Sequence, residues 1–278
     1  MFDTLVVVGV GLIGGSVAAA ARTRKIARRV VGLGRSAAKL RGAIERGILN
    51  EAFEDPSDIG EADLVVVCTP VDRIADDVRR VAKVLPADCL YTDAGSVKEP
   101  ICRSLTEDPP SRGIFVGGHP LAGSEKGGWE HSDAELFQGK LCVVTPTGRE
   151  PSGAVARTEE FWKSLGMQVR RMSPQEHDTA LALTSHLPHL VASALAAQLT
   201  DEMSPFAARG FRDTTRIAEG DPALWTAIFR SNASAVARHL EAYSRTLDQF
   251  ATALRSNDAA ALESLLQAGQ VARTRLEP

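Results

Sequence analysis

No two cysteines of this chain form a C-x-x-C pair; Cys68, Cys89, Cys102 and Cys142 stand far apart. That removes the common zinc-ribbon and dithiol redox spacings. Cys68, Cys89 and Cys142 lie in apolar, strand-like runs, so buried free thiols are expected and nothing calls for an oxidising compartment. An excess of charge is missing too. A formal net charge of −3 and a pI near 6.1 leave no electrostatic footprint for nucleic acid or an anionic membrane. No apolar run reaches transmembrane length without interruption, and the apolar N-terminus lacks the basic segment that opens a signal peptide. A soluble cytoplasmic protein is the expectation. From Pro174 to Pro278 there is no lysine at all, which excludes a catalytic lysine carried on a helix of that half.

What is present is organised around Leu5 to Ser16, LVVVGVGLIGGS. Thr4 to Val8 is a β-branched, apolar run of the kind that forms a strand buried on both faces. Gly9, Gly11 and Gly14 follow in G-x-G-x-x-G spacing, and Val17 to Ala21 has helix-forming composition. Gly9 permits a tight turn, Gly11 admits a pyrophosphate, and Gly14 lets helix and strand pack closely. Leu12 and Ile13 sit in the first helical turn, where free N–H groups and the dipole favour phosphate. The motif is weak alone; between a strand and a helix it points to a dinucleotide-binding, Rossmann-type domain.

Strand and helix patterns then alternate. Strands are expected at Arg29 to Leu33, Ala62 to Cys68, Leu90 to Asp93, Ile114 to Val116, Leu141 to Thr145 and Gln168 to Arg171. Helices are expected at Ala37 to Arg46, Ile74 to Val84 and Gly153 to Leu165. This alternation predicts an α/β fold with a mainly parallel sheet covered on both faces. Beyond Pro174 only helical patterns remain, chiefly Thr179 to Leu199, Asp221 to Phe250 and Asp258 to Arg273. The reading is a Rossmann-type domain over residues 1–173 and an all-helical domain over 174–278.

The end of the second strand reads Gly34-Arg35-Ser36. An NAD-preferring site puts a carboxylate there for the ribose hydroxyls. Its absence, with the Arg35 guanidinium alongside, favours NADP, with NAD as the other candidate. Three further loops fall at strand ends, where ligands bind in such folds. They are Thr69-Pro70-Val71, the Asp93 to Lys98 stretch containing Gly95 and Ser96, and Gly117 to Glu125 containing His119 and Ser124. His119 is either a structural loop residue or a neutral imidazole able to take a hydroxyl proton. In the helical half, His177-Asp178 precedes Ser185-His186-Leu187-Pro188-His189. No cysteine or carboxylate completes a metal set around His186 and His189, so no metal is expected.

Taken together, GVGLIGGS, CTPV, TDAGSVK, GGHPLAGSEKGG, HD…SHLPH and GFRDTTRIAEGDPALW resemble the prephenate/arogenate (cyclohexadienyl) dehydrogenase family of tyrosine biosynthesis. The matches run in the family's order from Val8 to Trp225. The resemblance implies oxidative decarboxylation of a cyclohexadienol, with hydride passing to NAD(P). It implies that His119 accepts the hydroxyl proton, that Ser96 bonds the same oxygen, and that Arg216 holds a substrate carboxylate. Ser124, Glu125, Ser185, His186, His189, Arg212 and Asp213 fall where the family lines its pocket. It further implies a homodimer through the helical half, with the tryptophan at Trp225 supplied by the neighbouring subunit. No chorismate mutase domain is expected before Met1 and no regulatory domain after Pro278. Two rival readings stand beside it. One is another Rossmann-plus-helical dehydrogenase, such as a β-hydroxyacid dehydrogenase, which needs the lysine that the second half lacks. The other is a non-catalytic NADP-sensing dimer.

Overall fold

A computed structural model of the chain describes residues 1–124 and 126–276. Residues 1–232 and 233–278 form two compact units. In the first, β1 (Phe2–Val8) leads into α1 (Leu12–Thr23), then β2 (Ala27–Leu33), the short α2 (Arg41–Glu45) and β3 (Glu51–Phe53). β4 (Leu64–Val67), α3 (Ile74–Ala82), β5 (Leu90–Asp93), α4 (Glu99–Glu107) and β6 (Ile114–Phe115) complete a parallel sheet in the order β3-β2-β1-β4-β5-β6. Both neighbours of β1 run parallel to it, pairing Val6 with Val31 and with Val65. Its apolar run is continuous because both faces are covered: Leu5 and Val7 pack toward α1, Val6 and Val8 toward α3.

The expected single sheet is in fact two. β7 (Gly117–Pro120), β8 (Leu141–Thr145) and β9 (Gln168–Arg171) form a separate three-stranded sheet, with β7 antiparallel to β8 and α5 (Ser152–Ser164) between β8 and β9. The Gly-Gly-His-Pro stretch read as a loop is therefore β7, and His119 is a strand residue opposite Val143. Its composition hides this, because glycine and proline are poor strand formers and β7 is held by its neighbours' hydrogen bonds.

Pro174 is the first residue of α6 (Pro174–Leu181), which opens with a reciprocal Ser173–Glu176 capping box. The helix continues through a π-turn at Ala182–His186 into α7 (Leu187–Ala196). Pro188 lacks the N–H that an α-helical turn needs, and the wider turn sits just before it. α8 (Arg209–Thr215) and α9 (Pro222–Ser231) complete the unit. The helix expected over Asp221 to Phe250 is interrupted at Asn232, whose side chain is spent on tertiary hydrogen bonds. The second unit is a pair of contacting helices, α10 (Ala233–Arg255) and α11 (Ala259–Arg273), the latter capped at Asp258. It exposes Leu247, Leu254, Leu266 and Val271. No helix of the described residues is long and apolar enough to cross a membrane.

The tightest packing lies under the glycine motif. A Cβ on Gly14 would stand 2.2 Å from the Gly9 carbonyl oxygen and 3.0 Å from Val7 Cγ1. Backbone cannot yield as a flexible side chain would, so α1 would have to move off β1. Gly14→Ala should cost about 1–3 kcal/mol of stability, the usual range for overpacking. Urea denaturation of the two proteins checks this, and an unchanged midpoint would show that α1 tolerates the shift.

Candidate functional site

Two regions meet the C-terminal ends of β1, β4 and β5. The first is a cleft of about 1160 Å³, lined by Gly9, Gly11, Gly34, Arg35, Ser36, Thr69 and Pro70 among others. α1 starts at its wall with Gly11 as N-cap, no side-chain cap and no acidic residue in its first turn. The N–H groups of Leu12 and Ile13 thus have no intrahelical acceptor, and a helix N-terminus left this way fits a pyrophosphate. Val71 turns inward instead, against Val97 and Ile228 of α9. Gly95 serves through its backbone, donating to Asp93 Oδ2 at 2.8 Å.

The cleft carries more charge than its motif suggests. Lys39, Arg73 and Arg80 join Arg35 in lining it, and so do Glu54, Asp77 and Glu130. Glu54 follows β3 and accepts the Ala37 N–H at 2.8 Å. A carboxylate is therefore present in the cleft close to the Gly34–Ser36 turn, brought by a three-residue strand that the sequence reading passed over. Asp77 is buried and paired with Arg80 at 3.2 Å. Trp129 also lines this cleft, its Nε1 donating to the Lys39 carbonyl at 3.1 Å.

The second region is a buried polar corner. Lys98, completely enclosed, pairs through Nζ with the equally enclosed Asp93 and donates to the Gly118 carbonyl at 2.9 Å. Asp93 also accepts from the Gly118 N–H at 3.0 Å. β5, the Ser96 loop and β7 are tied at one point, which fixes where His119 stands. His119 Nδ1 lies 2.7 Å from His177 Nε2, and His177 Nδ1 lies 2.7 Å from Asp178 Oδ1. Asn232 donates through Nδ2 to the Asp178 carbonyl at 2.8 Å and faces His186 Nδ1 at 3.2 Å. With Nδ1 accepting, His186 carries its proton on Nε2, a buried atom without a hydrogen-bond partner. His189 stacks on Trp225 at 3.6 Å between ring centroids.

The imidazoles here are held neutral. Burial pushes His119 well below the usual histidine range, helped by His177, Lys98 and His186 nearby. Burial likewise lowers His177, His189 and, to about 4, His186. A neutral imidazole in a dry corner can take a proton but not give one.

The remaining expected residues are spread more widely. Ser96 and Ser185 are half-buried, on the loop after β5 and in the π-turn. Ser124 is exposed and accepts the Lys126 N–H at 3.3 Å; Glu125 lies outside the described residues. Arg212, Asp213 and Arg216 are exposed. Arg212 bonds the Ala207 carbonyl at 2.9 Å and Asp213 pairs with Arg209 at 3.2 Å, so both are engaged locally in α8. Trp225, expected from a neighbouring subunit, here lies on His189 of its own chain, because α9 returns beside α7 after the turn at Gly220. Sequence reasoning assigned no role to Lys98, His177, Asp178 or Asn232. The visible signal was a His-Asp pair at a capped helix start. Among the described residues no three His, Cys, Asp or Glu side chains are grouped to hold a metal ion.

The family model described as "Prephenate dehydrogenase, nucleotide-binding domain" matches residues 17–171, and "Prephenate dehydrogenase, dimerization domain" matches 173–268. A cyclohexadienyl dehydrogenase of Zymomonas mobilis is 33% identical over 285 residues, covering 100% of this chain and 97% of its own. Among solved structures, a prephenate dehydrogenase from A. aeolicus in complex with hydroxyphenyl propionate and NAD+ is 30% identical with a TM-score of 0.92, covering 100% of this chain and 99% of that one. A Synechocystis arogenate dehydrogenase is 31% identical with a TM-score of 0.83, covering 98% and 99%.

Four histidines buried neutral tie stability to pH. Each has a folded-state pKa below its unfolded value near 6.5, so the unfolded chain binds more protons between the two. Their contribution is present above about pH 6.5 and is lost as pH falls through the folded values, to about 4 for His186. The urea midpoint should hold steady from pH 8 to about 6.5 and then fall toward about pH 5.5, before most carboxylates begin to titrate. A flat midpoint across that window would mean that these rings are wetter than their surroundings indicate.

Proposed function

The chain belongs to the prephenate dehydrogenase family, and on that premise we propose which of its residues do the chemistry and which cofactor it prefers. The reaction is oxidative decarboxylation of prephenate or arogenate in tyrosine biosynthesis, with hydride transfer to NAD(P). A bound nicotinamide supplies the hydride acceptor. In our reading His119 takes the hydroxyl proton as the carbinol C–H bond gives up its hydride. The bond to the ring carboxylate then breaks, CO2 leaves, and its electron pair completes the aromatic ring. The proton held on His119 returns to the phenolate oxygen. The observation that carries this assignment is the buried, neutral imidazole of His119, tied by the Asp93–Lys98 pair to the loop bearing Ser96. Ser96 bonds the reacting oxygen and Arg216 holds a substrate carboxylate as a planar fork. Ser124, Glu125, Ser185, His186, His189, Arg212, Asp213 and Trp225 are assigned to the pocket around them.

NADP is our preferred cofactor. Arg35 and Lys39 stand in the cleft beside Gly34, and Arg73 and Arg80 add charge to the same cleft. Against them stand Glu54, which accepts the Ala37 N–H, and Glu130 in the same cleft; Asp77 is paired with Arg80. We assign dimerisation to the helical half, with a division near residue 173 where the two family models meet. The exposed leucines of α10 and α11 support it. Four free cysteines suit a cytoplasmic setting.

The test offers prephenate and arogenate separately to the pure protein, each with NADP or NAD, and follows reduced nicotinamide. Turnover of at least one substrate, with higher kcat/KM for NADP, is expected. No turnover of either would overturn the function, and equal use of both cofactors would overturn the preference. His119→Asn should keep substrate affinity and lose hydride transfer by roughly 10²–10⁴-fold, the range for losing a general base. Arg216→Ala should raise KM through the loss of about 2–5 kcal/mol of carboxylate pairing, with Arg216→Lys recovering only part. Wild-type affinity in both Arg216 variants would remove this residue from the pocket.

A further inference from the structure

Which nitrogen of His119 is the base is decided two residues away. Asp178 lies on α6, but its carboxylate reaches across to the start of α4. Oδ1 accepts the Lys98 N–H at 2.7 Å and Oδ2 accepts the Glu99 N–H at 2.8 Å. These are N–H groups at a helix N-terminus, which have no acceptor of their own within the helix. Asp178 is thus an N-terminal cap supplied from another helix, and both its oxygens are acceptors. The third partner, His177 Nδ1 at 2.7 Å from Oδ1, must therefore donate.

The rest follows ring by ring. A neutral imidazole that carries hydrogen on Nδ1 has a bare Nε2. The bare Nε2 of His177 lies 2.7 Å from His119 Nδ1, so His119 must carry hydrogen on Nδ1 to fill that bond. Its Nε2 is then the one unprotonated nitrogen left. We propose that His177 and Asp178 are positioning residues that lock His119 in the Nδ1–H tautomer, so that Nε2 alone receives the substrate proton. The inference rests on the assignment of His119 as the base and goes beyond it by naming the atom and the residues that select it.

Among the described residues, no other group around His119 competes for that choice. From β5 and its loop, the Asp93 carboxylate and Lys98 ammonium are spent on each other and on Gly118. From β8, the Cys142 thiol contacts the Val143 carbonyl at 4.0 Å. From the π-turn, His186 faces Asn232 through Nδ1. Burial keeps His177 neutral, against the pull of Asp178. A protonated His177 would turn Nε2 into a donor and force the opposite tautomer on His119, with hydrogen on Nε2 and no base facing the substrate.

When the substrate hydroxyl O–H bond breaks, its proton goes to His119 Nε2 and the ring becomes an imidazolium. Nδ1–H still donates to His177, and the Asp178 carboxylate lies one ring beyond the new charge. Nothing is oxidised or reduced in this step, and the same proton leaves when the phenolate reclaims it.

The experiment uses the full chain labelled with ¹⁵N-histidine and without substrate. The two ring nitrogens of His119, assigned by loss of signal in His119→Asn, should read as N–H at Nδ1 and bare at Nε2 near neutral pH. The reverse pattern overturns the proposal. Asp178→Asn takes one acceptor from this junction and can present an N–H to His177. It should lower kcat by about 10²–10⁴-fold, with KM nearly unchanged, and move the His119 hydrogen to Nε2. An unchanged kcat or an unchanged tautomer in a folded variant overturns the proposal. Should that variant not fold, the pair His177→Gln and His177→Leu decides. The glutamine carbonyl can still accept from Nδ1–H and should retain far more activity than leucine, which cannot; equal losses overturn the proposal. A protein with the Nδ1–H tautomer that turns over neither prephenate nor arogenate would keep the inference and lose the assigned reaction. An active protein with the opposite tautomer would do the converse.

Discussion

The Asp93–Lys98 pair is the constraint on which the corner depends. Burying an ammonium and a carboxylate is costly unless nearly every hydrogen bond is supplied, and removing one partner typically costs about 3–5 kcal/mol. Here the remaining valences are filled by backbone. Gly95 and Gly118 donate to the carboxylate, and the Gly118 carbonyl accepts from the ammonium. One ion pair thus fixes the end of β5, the loop carrying Ser96 and the strand carrying His119 relative to one another. Gly118 has to be glycine for this to close. A Cβ there would meet the Asp93 carbonyl oxygen, Thr92 Oγ1 and Trp162 Nε1, each at 2.9 Å.

The same economy of partners appears at the helix starts. α1 opens at Gly11 with nothing to cap it, while α4 opens onto the Asp178 carboxylate and α6 onto its own Ser173–Glu176 box. An uncapped N-terminus beside an open cleft is a place for an anion from outside. A capped one is finished structure. The difference separates the cofactor cleft from the buried corner, although both lie at the same ends of the same strands.

Much of the first half was legible because its physics is local. The β-branched runs of β1, β2 and β4, the glycine spacing and the stripe of α3 each state their element within a few residues, and the parallel sheet follows from their alternation. β3 and β7 were not legible. Glu51–Phe53 is too short for a period to show, and Gly-Gly-His-Pro is strand only because β8 supplies its hydrogen bonds. The consequences for the site differ in kind. Missing β3 hid Glu54, and with it a carboxylate that lines the cleft beside the Gly34–Ser36 turn. Reading β7 as a loop still placed His119 correctly in the chain but gave no reason for its burial. His177 and Asp178 stood in plain view as a dipeptide. Their meaning depends on Lys98 and Glu99, about 80 residues earlier, and no periodicity carries that distance.

The base we propose in this corner works under two opposed demands. It must be neutral before reaction, which burial ensures by penalising the imidazolium, and it must hold a proton during reaction, which the same penalty opposes. Lys98 close by adds to the penalty, since its charge repels the new one. A carboxylate in direct contact with His119 would ease the second demand while raising the affinity of the resting ring for a proton. Inserting His177 between them separates the two effects. The carboxylate stays a full ring away in the ground state, and hydrogen bonds transmit its pull once Nε2 has been protonated. In the proposed mechanism the two-ring chain thus gives a base that rests empty and still has a carboxylate to draw on once it is protonated.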